Sequence, residues 1–218
     1  MLRIQSLTFN PFQEQTYVVW NTSGQAIIID PGCYSPEEKS ELREFIDENK
    51  LTPIAVLNTH CHIDHILGNA FACNTWNIPL FVPAGEQNQL KEVLSYGPGM
   101  GIFPEASPEP TQLLSDGMIL DLLGVNWQVL GIPGHSPDGL CFYLETENIL
   151  IAGDVLFQGS IGRTDLPGGN YTQLLSGIME KLMPLPDDTQ VFPGHGEPTR
   201  IGVEKIYNPF ILDWQKRK

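Results

Sequence analysis

A short apolar run, Ile54-Ala55-Val56-Leu57, leads directly into Asn58-Thr59-His60-Cys61-His62-Ile63-Asp64-His65. The run reads as a buried strand, and residues 66–72 read as the start of a helix. Four metal-binding side chains, His60, His62, Asp64 and His65, therefore crowd one strand-to-helix turn. In extended backbone, side chains two apart point the same way, so His60 and His62 can face one ion while Cys61 faces away. Asp64 and His65 fall where the chain enters the helix and aim at a neighbouring point. One turn thus carries donors for two adjacent metals. Helix capping and core polarity are the plainer roles for such residues. Three histidines and an aspartate packed so closely weigh against them.

The remaining chemistry-bearing residues repeat one scheme: apolar strand, glycine, ligand. Pro-Gly-His occurs at Pro133-Gly134-His135 and again at Pro193-Gly194-His195, each after a short apolar strand. Asp154 follows Ile149-Leu150-Ile151-Ala152-Gly153. Strand ends in layered folds gather on one edge, where loops are free to carry function. All five histidines of the chain and two acids then sit at such places. That donor set suits an ion preferring nitrogen and carboxylate, zinc first, then iron or manganese.

The chain has 218 residues, enough for a substantial core, and carries a formal net charge of −14. A surface so acidic repels phosphate backbones, which argues against nucleic acid as a partner. Part of that charge belongs to carboxylates that would neutralise bound cations. The four cysteines, Cys33, Cys61, Cys73 and Cys141, form no C-x-x-C pair and no dense framework, so reduced thiols are expected. The N-terminus shows no apolar leader, and no run reaches the length of a membrane span. A cytoplasmic protein is expected, with no membrane partner.

Residues 2–9, 16–20 and 26–29 read as strands, and the third ends at Asp30-Pro31-Gly32. Ser35-Pro36-Glu37-Glu38 opens a helix with a capping box, and Leu42, Phe45 and Ile46 form its stripe to about Lys50. Strands are expected at 78–82, 118–122, 126–130, 140–144, 149–152 and 189–192. Helices are expected at 84–95, 171–183 and 199–215, the last interrupted or kinked by Pro209. Residues 96–110, rich in Pro and Gly, read as a slack linker or, more readily inside a compact domain, as a flap or lid. Lys216-Arg217-Lys218 reads as a solvated, frayed tail.

The ordered set Thr59-His60-Cys61-His62-Ile63-Asp64-His65, Gly134-His135-Ser136, Gly153-Asp154 and Gly194-His195-Gly196 resembles the motifs of the metallo-β-lactamase superfamily. The likeness starts at Ile29-Asp30-Pro31-Gly32 and runs to His195. It implies an αββα sandwich, α/β in class, formed by one domain over residues 1–218. It also implies two divalent metal ions: His60, His62 and His135 hold one, Asp64, His65 and His195 hold the other, and Asp154 bridges both. Asp64 and Asp154 are thereby the acids of the catalytic centre. Two such ions lower the pKa of a shared water and polarise a carbonyl, so no Ser or Cys nucleophile is needed.

Within the superfamily, Gly153-Asp154-Val155-Leu156-Phe157 and Gly162-Arg163-Thr164-Asp165 are similar to the glyoxalase II group, which hydrolyses glutathione thioesters. A small-molecule thioester is the expected partner. The basic C-terminal helical domain by which that group grips glutathione has no counterpart in the short stretch after His195. Asp138 stands where relatives often carry glycine. The Gly162–Asp165 segment also resembles the persulfide dioxygenases, which use one iron, and that is the alternative reading. Arg163 either pairs with Asp165 to fix its loop or faces an anionic substrate. Cys61 reads as a small side chain packed behind the turn, and Asp30 as a brace for the turn's backbone.

Overall fold

In the computed structural model, which describes residues 1–216, the chain divides into two compact units, Met1–Leu114 and the part from Ser115 onward. Arg217 and Lys218 of the charged tail lie outside the described residues.

The first unit is built on a mixed sheet in the order β1-β2-β3-β4-β5-β6. β1 (Arg3–Phe9), β2 (Glu14–Trp20) and β3 (Gln25–Ile29) form an antiparallel meander. α1 (Pro36–Glu48) crosses over to β4 (Thr52–Leu57), which lies parallel to β3. Its capping box is made as the sequence predicts, with Ser35 and Glu38 exchanging hydrogen bonds. Leu42 and Ile46 of α1 pack with Phe9, Val18 and Ala26. After β4 come α2 (Ile63–Ile66) and α3 (Asn69–Trp76), then β5 (Leu80–Pro83), parallel to β4. The expected single helix is broken at Leu67-Gly68, where the Gly68 N–H donates to the Pro31 carbonyl at 2.7 Å. A 3-10 turn at Ala84–Glu86 precedes α4 (Gln89–Tyr96), and a second at Gly97–Met100 follows it. β6 (Gln112–Leu114), parallel to β5, closes the unit. The flap segment is thus largely irregular, yet its Ile102 is buried with Leu90, Val93, Cys61 and Ile63 in one core.

The second unit has a sheet in the order β14-β13-β10-β9-β8-β7. β7 (Ile119–Leu122), β8 (Val125–Gly131), β9 (Leu140–Leu144) and β10 (Ile149–Gly153) run antiparallel in sequence order. A small hairpin, β11 (Leu156–Phe157) with β12 (Ser160–Ile161), comes next, then α5 (Tyr171–Gly177), which continues as a π-helical turn over Ile178–Leu182. β13 (Gln190–Pro193) lies parallel to β10, and β14 (Thr199–Arg200) pairs with it. α6 (Ile201–Tyr207) and α7 (Pro209–Lys216) show that the terminal helix is interrupted, not merely kinked; the break falls at Asn208, just before the proline. Leu174, Leu175, Ile178, Ile201 and Ile211 bury against Leu150, Ala152 and Val191 of this sheet.

Candidate metal centre

β4 makes its last ladder bond from the Asn58 N–H to the Phe81 carbonyl, at 2.9 Å. Past that point side chains take over from strands. The Thr59 N–H donates to Asp30 Oδ1 at 2.7 Å and the Thr59 hydroxyl to Asp30 Oδ2 at 2.6 Å. Asp30 follows β3, the neighbour of β4, in left-handed backbone (φ 48°), a conformation that aspartate tolerates better than most residues. The brace expected of Asp30 is therefore made, and it extends to a ring: His65 Nδ1 lies 3.1 Å from Asp30 Oδ2. An ionised carboxylate only accepts, so Nδ1 carries the proton and the Nε2 lone pair points from the other side of the ring. His60 is fixed the same way. Its Nδ1 lies 3.1 Å from Thr59 Oγ1, whose own proton is given to Asp30, so the ring must be the donor. The rings of His60 and His62 sit 4.7 Å apart between centroids, and those of His60 and His65 4.1 Å. His62 occupies the N-cap position of α2 without a side-chain capping bond, so capping is not what its imidazole does.

In the second unit, Gly134 adopts φ 126°. A Cβ there would lie 2.5 Å from Leu174 N and 2.6 Å from Asn170 O, so only glycine lets the loop pass beneath the start of α5. His135 comes next, with Nδ1 2.9 Å from the Arg163 carbonyl. A carbonyl also only accepts, so this ring too turns its Nε2 lone pair outward. Asp154 leaves the end of β10 and His195 the end of β13; the Gly194 N–H donates to the Gly153 carbonyl at 2.8 Å. Asp154 Oδ2 lies 3.4 Å from His135 Nε2 and 3.6 Å from His195 Nε2.

These spacings test whether metals fit. A charge-assisted N–H···O bond closes to about 2.7–2.9 Å. Two ligands of one tetrahedral ion, each about 2.0–2.2 Å from it, stand about 3.3–3.6 Å apart. The two Asp154 contacts, and the 3.7 Å from His65 Nε2 to Asp64 Oδ2, match coordination edges better than ion pairs. The donor chemistry is imidazole plus carboxylate throughout, so within each unit the residues fit divalent metals.

Other expectations resolve locally. Arg163 forms a two-pronged pair with Asp165, Nε to Oδ1 and Nη2 to Oδ2 at 2.8 Å each, on the exposed surface. That guanidinium holds the Asp165 carboxyl down to about 2. Cys61 is fully buried among Ile28, Val56 and Ile63. Sequence reasoning missed three residues around the turn. The Asn10 side-chain amide donates to the Asp64 carbonyl at 2.9 Å. Buried Glu14 accepts from Thr16 at 2.9 Å, and desolvation pushes its carboxyl well above the usual range. Buried Glu86 accepts from the Cys61 N–H at 2.6 Å. An acid or amide in a polar stretch looks like surface in a sequence, so nothing marked them.

The sequence profile of the Metallo-beta-lactamase superfamily matches residues 9–195, across both units. The chain belongs to that superfamily. Its fold is the family's, two mixed sheets with flanking helices, as the αββα expectation requires. It is 38% identical over 212 residues to the probable metallo-hydrolase YqgX of Bacillus subtilis (strain 168), covering 96% of this chain and 98% of that one. It is 35% identical over 223 residues to the hydroxyacylglutathione hydrolase GloC of Haemophilus influenzae, again covering 96% and 98%. The crystal structure of TTHA1623 in a di-iron-bound form superposes with a TM-score of 0.84 at 34% identity, covering 94% of this chain and 99% of that one. Among the described residues no helix is long and apolar enough to cross a membrane.

Proposed function

We propose that this member of the superfamily is a metal-dependent hydrolase of small thioesters, and that its two units are halves of one domain. His60, His62 and His135 would hold one divalent ion, Asp64, His65 and His195 a second, and Asp154 both; zinc is the first choice, iron or manganese the next. The observation that carries this reading is the state of the rings. His60, His65 and His135 each donate Nδ1–H to the scaffold, which fixes the tautomer that offers Nε2. The carboxylates of Asp64 and Asp154 stand at ligand spacing from Nε2 atoms. The relative bound to two irons adds support for a pair of metals.

When bound, such a pair of ions supplies a water activated near neutral pH and a polarised substrate carbonyl. The chain's own part is to hold geometry and charge. Asp30 keeps Thr59 and His65 in register, and the Arg163 carbonyl keeps His135 from rotating. Asp64 and Asp154 bring the negative charge that offsets adjacent cations. A thiolate is a good leaving group, so no side chain is required as its acid. Arg163 is held in its two-pronged pair with Asp165, so contact with a substrate carboxylate, the other role expected of it, would require that pair to open.

The thioester class rests on the likeness of residues 153–157 and 162–165 to the glyoxalase II group and on a relative of equal span named for hydroxyacylglutathione. The test is kcat/KM for one acyl group carried on several thiols, S-lactoylglutathione included, beside a β-lactam. Thioesters should exceed the β-lactam by about 100-fold or more, roughly 2.7 kcal/mol of transition-state discrimination. The several thiol carriers should fall within about 100-fold of one another. A chain that prefers the β-lactam, or that oxidises persulfides with one iron and leaves thioesters intact, contradicts the reading.

A further inference from the structure

The backbone that presents His60 and His62 lies beyond the end of the sheet ladder, and two carboxylates take up its N–H groups. Asp30, just after β3, takes Thr59. Glu86, in the 3-10 turn just after β5, takes Cys61 at 2.6 Å. β3 and β5 are the two neighbours of β4 in the sheet, so the turn is gripped from both flanks. Asp30 is part of the motif that opens the family likeness. Glu86 belongs to no motif, yet it is fully buried beside a fully buried Cys61.

We propose that Glu86 is a positioning residue for the metal centre: its carboxylate, by accepting the Cys61 N–H, sets the directions in which His60 and His62 leave the chain. The physical reason is local. Cys61 is the residue between the two ligands, and its N–H lies in the plane of the His60–Cys61 peptide, so pinning that plane holds the His60 Cα directly and the His62 Cα through the one residue that follows. Left to solvent, that N–H would let the turn swing and the two imidazoles diverge. Burial of Glu86 keeps water from competing for the bond, and the 2.6 Å contact is short for an N–H···O bond. Outer partners of this sort typically contribute 10–100-fold to metal affinity. The inference rests on the proposed metal centre and adds to it which residue pre-shapes one side of that centre.

The test is zinc affinity, measured on metal-free protein by competition with a chromogenic chelator, with circular dichroism of the metal-free form as the control for folding. Glu86→Ala should weaken zinc binding by about 10–100-fold with an unchanged metal-free spectrum. Glu86→Gln keeps an acceptor oxygen in place and should return affinity to within about fivefold of the native chain. Native-like affinity in Glu86→Ala, within about threefold, overturns the proposal. So does Glu86→Gln as weak as the alanine variant, because charge and not the hydrogen bond would then be at work. Should the alanine variant fail to fold, Glu86→Asp replaces it. The shorter side chain keeps the charge but withdraws the oxygen, so a tenfold or greater loss is expected and native affinity overturns the proposal. A native chain that binds no zinc would instead overturn the metal-centre reading, so the two failures are told apart.

Discussion

A thiol reacts as its thiolate, so its burial decides its chemistry. All four cysteines are free and buried. Desolvation pushes Cys33 up to about 12 and Cys73 up to about 11, and raises Cys61 and Cys141 as well. An ordinary thiol, near 8.5, is about one quarter thiolate at pH 8; one raised to 11 is about 0.1% thiolate. At pH 8 an aromatic disulfide reagent should therefore label none of the thiols in native protein during the minutes it needs to label all four in denaturant. Rapid native labelling of Cys61 would contradict its place behind the turn and reopen a redox role. Cys61 was legible because alternation in an extended stretch fixes which side chain faces away from two ligands. The Asp30 brace was legible because an acid ending a strand next to the turn has few other uses. Glu14, Glu86 and Asn10 were not, since each acts across the fold on a backbone or side-chain atom far away in sequence.

Elements follow the same logic with longer reach. Buried Glu204 on α6 accepts from the Gly159 N–H at 2.9 Å, the Thr199 hydroxyl at 2.6 Å and the Asn208 amide at 2.8 Å. It thereby ties the β11–β12 hairpin, which follows Asp154 closely, to α6 and to the break before α7. Asn208 adds a bond to the Ser160 carbonyl at 2.9 Å. Glu204→Ala removes the acceptor from two buried donors, Thr199 and Asn208, and from the exposed Gly159 N–H, and the urea unfolding free energy should fall by about 2–3 kcal/mol. A loss below about 1 kcal/mol would show that the hairpin is held by packing alone. The break at Asn208 was legible from Pro209, because a proline forbids the helix to run through it. The β11–β12 hairpin was not, because two-residue strands carry no alternation to read. The same limit hid the π-helical turn at Ile178–Leu182, whose apolar stripe is indistinguishable from that of a continuous α-helix. Gly162 marks the hairpin's other constraint: a Cβ there would collide with the Asp154 carbonyl and crowd the His135 ring.

Across the whole chain, one rule recurs: the candidate ligands leave the ends of buried strands, and the scaffold holds their far sides. His60 to His65 follow β4, Asp154 follows β10 and His195 follows β13. That rule was legible from apolar runs ended by glycine or by the ligands themselves. The proposed division of seven candidate ligands between two ions was not, since spacing along the chain does not say which ligands share an ion; that division came from the family likeness. The flap at 96–110 was legible as irregular chain, but its anchorage by Ile102 in the core that holds Cys61 and Ile63 was not. The central claim is a pair of metals on one chain. It is tested most directly by elemental analysis of zinc-loaded protein freed of excess metal by gel filtration. The account predicts two zinc ions per chain. No bound metal, or a single iron per chain that added zinc does not supplement, would contradict it.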